Sequence, residues 1–289
     1  METRKVLVVA ALVAASIAMA AKDGVTLRKT LTTGTETYHV ETSTKQTVTV
    51  PGGQDQDMAW KSVSAYTYKI GAVDAAAGQA QTDLTTKVEK VDIDGPLADA
   101  LNTQKDKLLI TTTISGKLDS RNRFVADPNK KIDPRAVILG NSSAGIVSPL
   151  IEFPDKAVSI GDSWDVTVSK NPVISKEDQK LTAKYVGDKD VDGKSVYVLS
   201  LTGTLKTNID VGELMKANPV PELEAMGAVD MVITGTIGVT AEATIDKVTG
   251  QTLTMTVKLK NNQEIAVAAL GDAKIPSVGT ATITYTLAK

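Results

Sequence analysis

The sequence predicts a mainly β protein: curved antiparallel sheets in two related, half-barrel-like units, with a few short helices. Three observations carry this expectation. Thr and Val are abundant while aromatic residues make up only 3% of the chain, a composition suited to strands. Apolar and polar residues alternate with period two along most of its length, the signature of strands with one buried face. The alternating runs meet at short turns closed by Gly or Asn, which accept the left-handed backbone such turns require.

Residues 1–20 read as a cleaved secretory signal. Arg4 and Lys5 form a basic start, an apolar run follows from Val6, and Ala18-Met19-Ala20 is a small-x-small cleavage site. The run is too short and too Ala-rich for a membrane span. The expectation is therefore an exported protein, periplasmic or extracellular, with no integral membrane span after cleavage. The chain has no Cys, so its stability must rest on a hydrophobic core instead of disulfides. A net charge of −2 offers no global electrostatic case for nucleic acid. The scarcity of aromatics argues against a stacking platform for carbohydrate and against the aromatic girdles of an outer-membrane barrel.

The N-terminal unit is read over 21–126. "GTETYHV" (34–40) opens it, and a hairpin follows around Gly78. With a loop over 76–78, Ile70 faces Leu84 and Tyr66 faces Val88. "GPLADALNTQ" (95–104) is helix-like, with Pro96 suited to a first helical position. A second hairpin turns at 120–122, where Asn122 supplies the left-handed residue. That turn sets Leu118 against Phe124 and Asp119 against Arg123. The stretch 127–154 is rich in Pro, Gly, Asn and Ser and reads as a linker.

The C-terminal unit, 155–289, repeats the order. "GDSWDV" (161–166) precedes a hairpin closed by Val191-Asp192-Gly193, which sets Tyr185 against Leu199, Ala183 against Leu201 and Asp190 against Lys194. A helix-like stretch over 212–226 follows, interrupted at Pro219 and Pro221. Next comes the longest alternating run, in which Val229, Met231, Ile233, Gly235, Ile237, Val239, Ala241, Ala243 and Ile245 share a face. Extended at ~3.3 Å per residue it would reach about 56 Å, so it must curve, with Gly235 and Gly238 as bend points. A loop over 248–250 closed by Gly250 sets Ile245, Ala243 and Ala241 against Leu253, Met255 and Val257. Strands near 264–270 and 279–287 complete the unit.

The chemistry on offer is sparse. Asp188, Asp190, Asp192 and Gly193 match the first positions of a helix-loop-helix calcium loop, but its twelfth position is Leu199, which cannot ligate. A weak surface calcium site at the three aspartates is the candidate that survives. His39 is the only histidine and shares a strand face with Thr37 and Glu41. Neither a G-x-S-x-G elbow nor a phosphate-binding Gly loop occurs, and Cys-based sites are impossible. No catalytic residue and no cofactor are assigned, so a non-enzymatic protein is expected. The expected function is a binding or carrier module for an apolar small molecule or lipid, with Trp164, Gly235, Ala241 and Ala243 as ligand-facing candidates. Small residues on a curved apolar face leave room for a ligand if larger side chains do not fill it. The alternative is a structural or interaction protein of the cell envelope with that face fully packed and Trp164 plugging the end of the core. Protein partners are not indicated.

"FPDKAVSIGDSWDV" (153–166), followed by a strand–turn–strand with "VDGKSVYVL", resembles a family of exported bacterial β-rich proteins of unknown function. That resemblance implies no activity and no site residues. A more distant architectural likeness is to periplasmic lipoprotein carriers, whose fold is a curved antiparallel half-barrel with helices over an apolar concave face.

Overall fold

The computed structural model describes residues 24–50, 52–96, 98, 105–127, 148–170, 174–217, 231–268 and 273–289. The signal read over 1–20, most of the first helix-like stretch, the linker's 128–147, the second stretch beyond Ala217 and Val229 lie outside the described residues.

Among the described residues, eleven strands form one open antiparallel sheet. In chain order they are β1 (Gly34–Val50), β2 (Gln54–Asp74), β3 (Gln79–Asp94), β4 (Thr111–Asp119), β5 (Phe124–Ala126), β6 (Ser163–Val168), β7 (Gln179–Val191), β8 (Lys194–Asp210), β9 (Met231–Asp246), β10 (Thr252–Val267) and β11 (Ala273–Leu287). The described helices are short: α1 (Lys105–Leu108) and α2 (Val211–Ala217), the latter seating Val211, Leu214 and Met215 in buried positions. The spatial order β5-β4-β3-β2-β1-β11-β10-β9-β8-β7-β6 means every hairpin pairs with its sequence neighbour. One pairing and one connection depart from it. The first and last strands meet at the centre, from Tyr38↔Leu287 to Val48↔Ser277. β5 and β6, consecutive in the chain, lie at opposite edges of the sheet. Sheet pairing thus continues without interruption from the strands of the N-terminal unit into those of the C-terminal unit.

The register follows the apolar pattern, with corrections at the turns. Leu118 pairs with Phe124 as expected, and Asn122 has φ 62°. Ala243↔Met255 and Ala241↔Val257 hold, and Gly250 has φ 67°. Ile245, however, pairs with Thr252, because Leu253 bulges out of the ladder. Tyr185↔Leu199 and Ala183↔Leu201 hold too, but the turn differs. Asp192 and Gly193, at φ 50° and 76°, form a two-residue turn in which both residues are left-handed. Val191 therefore faces Lys194 and Asp190 faces Ser195, and a bulge after Tyr185 restores the face alternation. At Gly78 the pairing slips by two residues: Ile70 faces Thr82, Tyr68 faces Leu84 and Tyr66 faces Thr86. A slip of two leaves every side chain on its original face, so the hydrophobic pattern alone could not forbid it. The strand expected near 264–270 is the end of β10, which runs through Asn261 and Asn262 without a break.

The two glycines expected as bend points have different backbones. Gly235 has φ 148°, and a Cβ there would lie 2.6 Å from the Gln263 Cα. Gly238 has ordinary backbone, and a Cβ would meet nothing closer than the Lys260 carbonyl at 3.7 Å.

Side chains on the inner face align in cross-strand rows. One row crosses seven strands as Tyr185–Leu199–Ala243–Met255–Tyr285–Val40–Ser64, and the next as Ala183–Leu201–Ala241–Val257–Ile283–Thr42–Ser62. All of these are buried. The exposed edge of β8 beyond β7 is closed locally. The Gln179 side chain donates to the Lys206 carbonyl at 2.7 Å and accepts from its N–H at 2.6 Å, as a paired peptide would.

Candidate functional site

One end of the inner face is sealed by chain that has no regular structure. Residues 148–158, at the close of the long crossover, lie against the core with Leu150, Ile151, Phe153 and Val158 all buried. Backbone that joins no ladder must find other donors. Here six successive or near-successive carbonyls find side chains. Thr252 donates to Pro149, Asn122 to Ile151, Trp164 Nε1 to Glu152 and Arg121 Nε to Phe153, at 2.6–3.2 Å, while Arg28 serves both Pro154 and Asp155. Arg121 also pairs with Glu152 at 2.9 Å and Asp155 at 2.7 Å.

The N-terminal segment locks into the same end. Val25 bridges Val158, and Lys29 reaches the Glu36 carboxylate at 2.8 Å with both side chains almost wholly buried. Burial holds the Lys29 ammonium below its ordinary value, and Glu36 works against that shift. Gln251 Nε2 donates to the second Glu36 oxygen at 3.1 Å. Gly250 admits the crossing of this segment, since a Cβ there would lie 2.7 Å from the Lys29 Cα. Beneath these groups Tyr38, Tyr66, Tyr68, Tyr285 and Phe124 meet edge to face. Burial pushes the four tyrosine hydroxyls up from their ordinary value.

The other end of the same face differs in kind. Past the core rows comes a belt of uncharged polar side chains: Thr44, Gln46, Asn261, Gln263, Ser277 and Thr207. Gln46 bonds Ser277, and Gln263 bonds Thr207 at 3.3 Å. Thr44 Oγ1, Trp60 Nε1 and Asn261 Oδ1 are buried with no hydrogen-bond partner among the described residues. Thr44 and Trp60 face each other across β1 and β2. Beyond the belt, Ile209, Ile233, Ile265 and Ile275 stand in one cross-strand row over β8, β9, β10 and β11. Ile209 is buried and the other three are half-buried, as are Val48, Val50, Met58 and Met231. The sequence reading missed this row because Ile275 lies outside the strands it drew and Ile265 was placed on a separate strand.

The sites expected from sequence fall as follows. Ala241 and Ala243 are 3% and 1% exposed, enclosed by Leu199, Leu201, Met255 and Val257 of the neighbouring strands. Gly235 is spent on close backbone approach to Asn262 and Gln263. Trp164 is half-buried against the core, its N–H bound to Glu152 as described, so it anchors the crossover. Asp188, Asp190 and Asp192 do not converge: among the described residues no three His, Asp or Glu side chains are grouped to hold a metal ion. Lys247 pairs with Asp188 at 2.7 Å, and the Tyr185 hydroxyl donates to it. Burial alone would raise that carboxyl, but these two partners outweigh it and hold Asp188 below its ordinary value. His39 lies on the outer face, half exposed, 3.3 Å from Glu41.

The outer face carries two shallow hollows of about 680 and 640 Å³, which share Lys260 and Thr280. Among the described residues no helix is long and apolar enough to cross a membrane.

No protein-family model matches the chain. No curated protein matches it either. Solved structures give low-level likenesses. One is lipovitellin, described for its lipid–protein interactions, at 11% identity and TM-score 0.41, over 88% of this chain and 25% of that one. This chain thus spans about a quarter of that protein. A DUF1329-family protein from Desulfovibrio piger is 11% identical over 87% of this chain and 83% of its own, with TM-score 0.15. A LolA-superfamily protein from Nitrosomonas europaea is 9% identical over 86% of each chain, with TM-score 0.16. At these TM-scores the likenesses assign no function, which has to be argued from geometry.

Proposed function

We propose that this protein is an exported, non-enzymatic carrier that holds an apolar ligand against the far half of its inner face. The observation that supports this is the half-buried isoleucine row beyond the polar belt. Strands of up to 21 residues run well past the core that they pack, and they keep apolar side chains on the inner side after doing so. Exposed apolar surface costs about 25 cal/mol per Å², so a row of this kind is maintained against a cost that a bound acyl chain removes. The small residues Ala241 and Ala243 are not the ligand surface in this reading, because larger neighbours enclose them. The export signal and the absence of enzymatic activity remain readings of the sequence.

The test is mass spectrometry of an organic extract of the purified protein, paired with displacement of a fluorescent fatty-acid analogue. The expected result is an apolar compound near one per chain, with analogue binding lost in Ile233→Asp and Ile265→Asp. An empty extract together with no analogue binding would leave the second reading, an envelope interaction protein with a packed core. That reading draws on the close packing around Ala241 and Ala243.

A further inference from the structure

The two hollows on the outer face join into one trough, and register defines its walls. One outer row runs Lys45–Thr280–Lys260–Gly238–Thr204 from β1 to β8, and its neighbour runs Ser43–Thr282–Lys258–Thr240–Thr202. Strands lie about 4.8 Å apart, so five of them give the trough a length of about 19 Å. At Gly238 the floor has no side chain. Lys45, Lys258 and Lys260 are exposed and carry no ion pair among the described residues. Three ammonium groups therefore stand along a channel whose central rows are mostly threonine, with Asn262 and Val278 beside them and Asp57 and Asp94 at one end.

We infer that this trough binds a linear, carboxylate-bearing polysaccharide, with the three lysines pairing its acid groups and the threonines its hydroxyls. The alternatives fit less well. Neither aromatic nor arginine side chains line the hollows, so base stacking and bidentate phosphate contacts are missing. A flat anionic membrane would meet Glu41 and Glu242 in the adjacent outer row, Glu41–Thr284–Thr256–Glu242–Ser200. A narrow chain lying between the rows avoids both. Asp57 and Asp94 close the trough at the β2–β3 end, which sets a limit to the chain that fits. Recognition by charge and hydroxyl replaces the stacking platform that the aromatic-poor composition cannot supply. The site is on the opposite face from the proposed apolar ligand and does not depend on it.

The experiment is fluorescence anisotropy of labelled oligogalacturonate with the purified protein. Binding should weaken as salt rises, since exposed charges are screened over about 10 Å at 0.1 M, and neutral dextran should not bind. The combined variant Lys45→Gln, Lys258→Gln, Lys260→Gln should lose at least about tenfold in affinity. Gly238→Val tests the shape independently. It fills the floor at a position of ordinary backbone and open space, so it should fold normally and still bind several-fold more weakly. No binding of oligogalacturonate, unchanged affinity in both variants, or equal binding of single-stranded DNA or anionic vesicles would overturn the assignment.

Discussion

The two ends of the inner face use the same strands and the same alternation, yet one is locked and the other is not. At the locked end, side chains donate to the carbonyls of a crossover that forms no ladder of its own, and a buried ion pair ties the N-terminal segment to β1. At the far end, three of the four isoleucines stay half-buried, whereas buried polar atoms without a partner among the described residues occur at both ends: on Thr44, Trp60 and Asn261 at the far one, on Tyr38 and Asn122 at the locked one. A buried polar atom without a partner costs about 1–3 kcal/mol. What separates the ends is therefore the burial of their apolar side chains and the carbonyl and ion-pair contacts that fix the crossover.

The sharpest way to break the contrast is at Phe153, which is 0% exposed. Phe153→Ala should cost about 3–5 kcal/mol in urea unfolding, whereas Met58→Asp at the far end should cost under about 1 kcal/mol. Equal losses would dissolve the distinction between the two ends.

Next in size is the buried pair. Lys29→Met leaves Glu36 uncompensated and should cost about 3 kcal/mol or more. Lys29→Met with Glu36→Leu should regain much of that loss, since apolar replacement of a buried pair is often neutral. If the double variant is no better than the single one, the pair is not the latch described above.

Alkaline pH should act on the locked end first. Tyr38, Tyr66, Tyr68, Tyr185 and Tyr285 have hydroxyls raised above the ordinary value of 10.0. Their contribution to stability is fully present below pH 10.0 and is lost as pH rises through the higher folded values. Lys29 is lowered from 10.5, so it adds stability as pH rises between its folded value and 10.5, which opposes the tyrosines. With five groups against one, the urea midpoint should fall above pH 10, in step with tyrosinate absorbance. A midpoint that stays flat through that range would contradict the burial of these rings.

The smallest effects separate two glycines on one strand. Gly235→Ala, at positive φ and against the β10 backbone, should destabilise by more than about 1 kcal/mol. Gly238→Ala should fall within about 0.5 kcal/mol of the parent. The sequence reading named both as bend points, because composition cannot tell a glycine required by backbone contact from one that merely leaves space.

Legibility followed the physics of each feature. The strand faces were readable because a one-residue slip exposes a whole apolar set, and the one-residue departures, Ile245 to Thr252 and Asp190 to Ser195, stay next to turns where bulges absorb them. Turn length was not, because a two-residue turn with a bulge and a three-residue turn deliver Tyr185 to Leu199 equally well. The calcium candidate arose from acids at alternate positions of "DKDVDG", where the structure has an Asp-Gly turn and a Lys247–Asp188 pair. Lys247 is far enough along the chain that spacing could not announce it. "FPDKAVSIGDSWDV" was recognisable as distinctive, but its role and that of the residues just before it needed Arg28, Arg121, Asn122 and Thr252, contributed by three separate places in the chain.

By itself, the sequence determined the strand faces, the left-handed turn positions at Gly78, Asn122, Gly193 and Gly250, and the dependence on a core in a chain without Cys. These are local consequences of side-chain period and backbone sterics. Only the tertiary structure decided that β1 meets β11, that the crossover seals one end, that isoleucines from β8, β9, β10 and β11 share a row, and that three lysines share a trough. Each depends on pairing between residues far apart in the chain, and such pairing is set by the packing of the whole sheet.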